Sequence, residues 1–163
     1  MPTDPDPTGE PDNPAADVMP YWDQVVEDMA ATADEYRDRD WTAREIHPGD
    51  VAVRTGDVER TGIELLAPDN EFDPVAAAFD RAGGFGRAEV FRADTGGTIY
   101  AVVALEDPET ETAVLVPLYF SPGEHEEFVE AARAEGEIRV HVRPLDERRV
   151  LTFTIDDPEQ VLP

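Results

Sequence analysis

Thr98–Leu105 (TIYAVVAL), a turn at Asp107-Pro108-Glu109-Thr110, and Thr112–Tyr119 (TAVLVPLY) decide the fold class. Two mostly apolar runs joined by a tight turn read as an antiparallel hairpin. Upstream, Ala88–Ala93 reads as a strand that turns through Thr95-Gly96-Gly97 into the hairpin. Downstream, Ser121 can cap a helix running to Glu135, with Phe128, Val129 and Ala132 facing inward and Gly136 ending it. Glu137–Arg143 and Val150–Ile155 then form a second hairpin around Leu145–Arg148.

The first half reads in the same terms. Tyr21, Trp22, Val25, Val26, Met29, Ala33 and Tyr36 recur at helical spacing, which predicts a helix over 20–39 opened by Pro20. Trp41–Ile46 leads to a turn at His47-Pro48-Gly49-Asp50, and Val51 and Val53 alternate with polar residues as a strand. A loop begins at Thr55-Gly56-Asp57, and Gly62–Ala67 is the next strand. Pro68-Asp69-Asn70 opens a helix over 71–82 with Phe72, Val75, Ala76 and Phe79 on one face, stopped by Gly83-Gly84-Phe85-Gly86.

The expected fold is therefore α+β and two-layered. It has a mainly antiparallel sheet of about seven strands and three helices, in the order α-ββ-α-ββ-β-α-ββ. The domain spans residues 20–158. Residues 1–19, with five prolines, five acids and no base, read as a disordered acidic tail, and residues 159–163 as a short C-terminal tail. Residues 49–92 and 97–143 also share a plan: glycine and strand, acidic turn, apolar strand to proline, helix, glycine, and a strand ending in arginine. That plan suggests a duplicated ββαβ unit, against the simpler reading that two such stretches resemble each other by order alone.

Composition narrows the chemistry. The 163 residues carry 38 acids, 13 bases and a net charge of −25; every base is arginine, there is no cysteine, and Ser121 is the only serine. Disulfides, thiolate metal sites, Schiff-base lysines and the phosphate-loop lysine are excluded. No apolar run approaches the ~20 residues of a spanning helix, and the N-terminus has no signal-peptide pattern, so a cytoplasmic protein is expected. The acids are spread evenly: five in residues 1–20, eleven in 21–60, ten in 61–110 and twelve in 111–163. A nucleic-acid mimic or a docking face would concentrate them. Even spread with arginine in place of lysine favours adaptation to high salt, where the Debye length at ~1 M is ~3 Å and carboxylates barely repel. A broad basic face for nucleic acid is missing.

Few residues suggest a site. His125-Glu126-Glu127 begins like a zinc-protease helix, but Val129 stands where the second histidine belongs. His47, His125 and His141 fall on three different elements. Ser121 lacks the glycine-flanked elbow of a hydrolase nucleophile, and the glycines of 83–86 precede a strand instead of opening a helix, so they build no anion site. Asp69, Glu71 and Asp73 complement a helix dipole. The most informative set is on Glu137–Arg143. Ile138, Val140 and Val142 face the core there, so Arg139, His141 and Arg143 share the other, solvent-facing side. Arg148 and Arg149 lie in the adjoining turn, and Arg92 ends the matching strand of the first unit. The candidate binding residues are Arg139, His141, Arg143, Arg149 and Arg92, suited to a carboxylate or phosphate. The competing reading is structural ion pairing with Glu137, Asp146 and Glu147.

Several blocks in order carry a family resemblance: Tyr21-Trp22-Asp23 with its acidic helix, His47-Pro48-Gly49-Asp50-Val51, Ala67-Pro68-Asp69-Asn70-Glu71-Phe72, Thr112-Ala113-Val114-Leu115-Val116-Pro117, and His141-Val142-Arg143-Pro144-Leu145. Across residues 20–158 the chain resembles a haloarchaeal family of uncharacterised proteins. The resemblance implies a haloarchaeal source and one compact domain, and brings no activity to any residue. The expected function is a non-enzymatic binding or interaction module, with a protein or a small anionic ligand as partner. No catalytic residue, metal or cofactor is assigned, and neither direct nucleic-acid nor membrane binding is expected. The alternatives are a small hydrolase or transferase using histidine and carboxylates, and a homodimeric structural or regulatory protein built on an exposed sheet face or edge strand.

Overall fold

The computed structural model describes residues 14–56, 61–82, 85–146 and 149–163. Its elements are α1 (Pro14–Arg37), β1 (Thr42–Glu45), β2 (Asp50–Arg54), β3 (Gly62–Leu66), α2 (Asp69–Ala82), β4 (Arg87–Thr95), β5 (Thr98–Asp107), β6 (Thr112–Phe120), α3 (Glu126–Glu135), β7 (Ile138–Arg143) and β8 (Leu151–Ile155). Short 3-10 turns sit at Pro122–Glu124 and Pro158–Gln160. The strands form two four-stranded sheets. Sheet A has the order β1-β6-β5-β4 and sheet B the order β2-β3-β7-β8.

The β5–β6 hairpin explains the layering. All ten residues of β5 are buried, whichever way they point. Ile99, Ala101, Val103 and Leu105 pack with Val114, Val116, Leu118 and Phe120 of β6 against Ile63, Leu65, Val140, Val142, Phe153 and Ile155 of sheet B. Tyr100, Val102 and Ala104, with Ala113 and Leu115, face the other way onto Val25, Met29, Ala33 and Tyr36 of α1. A run that is apolar at both parities is what a strand covered on both faces requires. The layers are therefore α1, sheet A and sheet B. α2 leaves the C-terminal end of β3 and α3 enters the N-terminal end of β7. Because β3 and β7 run parallel, the two helices close opposite ends of the sandwich, adding Phe72, Val75, Phe128 and Ala132 to the core between the sheets. Pro117 is tolerated inside β6 because β1 pairs only as far as Leu115.

The α+β class and the three helices stand, with four antiparallel and two parallel strand pairs. The sheet layout differs from expectation: there are two sheets where one was expected, and eight strands where about seven were. The additional strand is β1, a short mixed-polarity segment whose partner β6 lies far along the chain. α1 begins at Pro14, upstream of Pro20 and inside the stretch assigned to the tail, while residues 1–13 lie outside the described residues. The final residues are no tail: Val161 and Leu162 are buried in the intersheet core, and Arg92 Nη1 donates to the Leu162 carbonyl at 2.5 Å. Two apolar residues beyond Asp156-Asp157 had nowhere else to go. The repeated ββαβ order is present, but the pairing is not equivalent. β3 takes β7 in parallel, whereas β5 takes β4 antiparallel and β6 takes β1. No helix among the described residues is long and apolar enough to cross a membrane.

A buried polar tie helps fasten α1 to sheet A, beside the Arg37 contacts to Ala43 and Glu45 of β1. Glu106 of β5 is 4% exposed and accepts from the Tyr36 hydroxyl and, at 2.9 Å, from Arg87 Nη2. Burial, and then the Glu106 carboxylate, push the Tyr36 phenol well above its ordinary range. The folded state thus holds this proton more tightly than the unfolded chain, whose tyrosines titrate near 10. The stabilisation is intact below about pH 10 and is lost as the pH rises above it. Urea unfolding between about pH 9 and pH 11 should show the wild type losing stability more steeply than Tyr36→Phe. Parallel pH profiles would refute the tie.

Candidate functional site

Strand alternation places Arg139, His141 and Arg143 on the outer face of sheet B, as their spacing requires, but that face is not simply solvent-exposed. β7 is an internal strand between β3 and β8, and His141 is 2% exposed. Its Nε2 faces the Thr61 carbonyl at 3.1 Å and its Nδ1 the Thr152 hydroxyl at 2.9 Å. A carbonyl only accepts, so Nε2 carries the proton, and in the neutral ring Nδ1 accepts from Thr152. Beside it in register lies Glu64 of β3, a 5%-exposed carboxylate. Arg143 Nε donates to it at 2.7 Å and Arg54 Nη1 at 3.1 and 3.2 Å.

The other candidate arginines are also engaged. Arg139 pairs with Glu135 and Glu137 at 3.2 and 3.4 Å. Arg149 of the β7–β8 turn reaches Asp80 of α2 at 2.6 and 3.2 Å, and the guanidinium holds that carboxyl below its usual range. Arg92 grips Asp94 with two 2.8 Å bonds and holds the C-terminal Leu162 carbonyl. Of the expected pairs, Arg139–Glu137 forms. The other carboxylates, Glu64, Glu135, Asp80 and Asp94, come from elsewhere in the fold or from strand and helix neighbours that the sequence reading passed over. Arg148 and Glu147 lie outside the described residues, as do Gly83 and Gly84.

The histidines are not gathered. His47 is fixed at the surface by Glu71, whose carboxylate takes the His47 amide at 2.6 Å and Nδ1 at 2.7 Å. This ties the turn between the two sheets to the start of α2. His125 is the residue before α3. Among the described residues no group of three or more His, Asp or Glu side chains could hold a metal ion.

His125 does line a cleft of about 550 Å³, open to solvent. One wall is the edge of β2 at Val51–Val53, the other the Gly96-Gly97 turn and the end of β6. The two glycines, at φ of 59° and 83°, make the two-residue turn that suits a right-twisted hairpin, and so bring Thr98 up beside Ser121. The Thr98 and Ser121 hydroxyls lie 3.0 Å apart. Ser121 therefore does not cap a helix through its side chain, because Pro122-Gly123 draw the chain into a 3-10 turn before α3 begins. Tyr119 and Glu124 complete the polar lining. Burial, with a smaller push from the Asp50 carboxylate, raises the Tyr119 phenol above its ordinary value. A second cleft of about 260 Å³ between β4 and β8 is lined by Phe79, Phe85 and Phe153 and holds less chemistry. The sequence reading missed Thr98, Tyr119 and Glu124 as site residues; only the Phe120-Ser121-Pro122-Gly123 break after an apolar strand marked the place.

Fold and site together define an α+β protein of two stacked sheets with a hydroxyl-lined cleft at one corner. The chain belongs to the family of unknown function DUF7529, whose model matches residues 10–163. No curated protein and no solved structure matches it.

If the outer-face arginines are structural, their truncation must be felt unequally. Arg143→Met should destabilise by about 1–3 kcal/mol, because it takes a 2.7 Å donor from a buried carboxylate. Arg139→Met, which breaks half-exposed pairs, should stay within about 0.5 kcal/mol. Guanidinium unfolding of the two variants checks this, and equal effects would contradict it.

Proposed function

We propose that this chain is a non-enzymatic binding module that holds a small polar molecule in the cleft between β2 and the β6–α3 corner. The observation that carries the reading is the Thr98–Ser121 hydroxyl pair at 3.0 Å on the wall of a cleft of about 550 Å³. Concave sites with apolar walls and a few convergent polar groups are where small ligands bind. Val51 and Val53 supply the apolar wall here, and the hydroxyls, His125 and Glu124 the polar groups. A ligand drawn mainly by arginine has less support, since Arg92, Arg139, Arg143 and Arg149 all have carboxylate partners. The lining favours an uncharged or cationic polar molecule over an anion. A hydrolase or transferase reading has one point in its favour, that Ser121, Glu124 and His125 line the same cleft. The Ser121 hydroxyl, however, is bonded to Thr98, whereas a nucleophile needs a base at that distance.

Saturation-transfer NMR in about 1 M KCl, with nucleosides and hexoses as probes, tests the binding reading. At least one probe class should receive magnetisation, and Val53→Trp and the Thr98→Val/Ser121→Ala pair should each abolish it. Binding by no probe, or binding indifferent to both variants, would sink the proposal.

We also propose that the chain works in the cytosol of a haloarchaeon. The support is the charge of −25, spread along the whole sequence, with arginine as the only base. Lowering KCl from about 1 M to about 0.01 M lengthens the Debye length from about 3 to about 30 Å. The melting temperature should then fall, because the acids begin to repel. A melting temperature indifferent to salt would remove the basis for this reading.

A further inference from the structure

We propose that the free edge of β4 is a homodimer interface: two copies pair β4 antiparallel about a two-fold axis beside Phe91, joining their A sheets into one eight-stranded sheet. β4 is the longest of the four sheet edges, nine residues against four in β1 and five in β2 and β8. Its register with β5 is unbroken over nine pairs, with no bulge and no proline. Edges not meant to pair are usually shortened, bulged, charged or covered. β4 is neither short nor bulged, and although four of its nine residues are charged they carry both signs. Its charged residues, Arg87, Glu89, Arg92 and Asp94, sum to zero in a chain of −25. α1 packs mainly on β1, β5 and β6, and on the face that β4 turns toward the α1 side Arg87, Glu89 and Thr95 are exposed. There Phe91 stands 47% exposed, beside a small groove lined by Tyr21 and Val25 of α1 and Val102 of β5.

The backbone selects the register. Thr95 and Thr98 close a two-residue turn and form a hydrogen-bonded pair. Alternation then points the amides and carbonyls of Arg87, Glu89, Phe91, Ala93 and Thr95 toward β5. Those of Ala88, Val90, Arg92 and Asp94 point outward. Among the described residues these four make no backbone hydrogen bond outside the sheet. In a symmetric antiparallel pair only residues on the same face can oppose each other. Centring on Phe91 sets Ala88 against Asp94 and Val90 against Arg92 of the second copy, so every outward group is matched. The two Phe91 rings meet in the close, non-hydrogen-bonded position, where aromatic pairs are favourable.

Charge decides that the occupant is a second copy in salt. The two β5 strands end three strand spacings apart, about 14 Å, and each acidic α1 lies over β5 or beyond. At about 1 M salt, where the Debye length is about 3 Å, the two helices do not sense each other; at about 0.01 M, with a length of about 30 Å, they repel.

Sedimentation equilibrium in about 1 M KCl should give twice the 18.0 kDa monomer mass. Phe91→Glu should return it to the monomer mass with an unchanged circular dichroism spectrum. Because the chain has no cysteine, Phe91→Cys supplies an independent check. Opposed β-carbons about 4.5–5.5 Å apart are near disulfide reach, so a mild thiol oxidant should convert this variant to a covalent dimer. Thr154→Cys on the competing β8 edge should stay monomeric on the same gel. A wild type of monomer mass, a Phe91→Glu variant that remains dimeric, or cross-linking through position 154 in place of 91 would each overturn the proposal.

Discussion

One hairpin answers to two cores. The odd-numbered residues of β5 and the even-numbered residues of β6 are buried against sheet B, and the residues between them against α1. Because strand side chains alternate exactly by twos, a slip of one residue would send each set into the wrong layer. The hairpin register therefore sets where α1 lies, how far sheet B sits from sheet A, and which ends of the sandwich α2 and α3 must close. The continuous apolar run that marked this hairpin in the sequence follows from that double duty.

A second constraint comes from charge. With thirteen arginines against thirty-eight acids, most carboxylates can be tolerated only in water. Glu64, Glu106 and Asp107 are buried exceptions, each with donors at hand: Glu64 has Arg54 and Arg143, Glu106 has Arg87 with the Tyr36 hydroxyl, and Asp107 has the Thr110 hydroxyl. A buried carboxylate without such donors would cost more than a domain's marginal stability allows. Several of the scarce bases thus hold strands, helices and the C-terminal residues together. That explains why the arginine-rich strand β7, the most conspicuous candidate in the sequence, makes a structural network on its outer face.

Legibility followed the range of the interactions. The helix over Tyr21–Tyr36 and the strands at 62–66, 87–95, 98–107 and 112–120 were readable because their signals are local: apolar spacing, glycine and proline punctuation, turn residues. β1 was missed because Thr42–Glu45 has no apolar pattern and is a strand only through its parallel partner in β6. Val161 and Leu162 looked like a tail because two apolar residues carry no periodicity, although they bury fully. The cleft was illegible for the same reason. Its walls come from β2, the β4–β5 turn and the β6–α3 corner, three places joined only by folding.

By itself the sequence determined the α+β class, the alternation that puts Arg139, His141 and Arg143 on one face, and the exclusion of thiol and lysine chemistry. These depend on residue type and on spacings of a few positions. Only the tertiary structure decided that the strands divide into two sheets, that His141 is buried, that Glu64 is the partner of Arg143, and that Ser121 meets Thr98 across a cleft. Each of those joins residues distant in the chain. Pairing of that kind is set by which layers must cover which faces, and no local pattern records it.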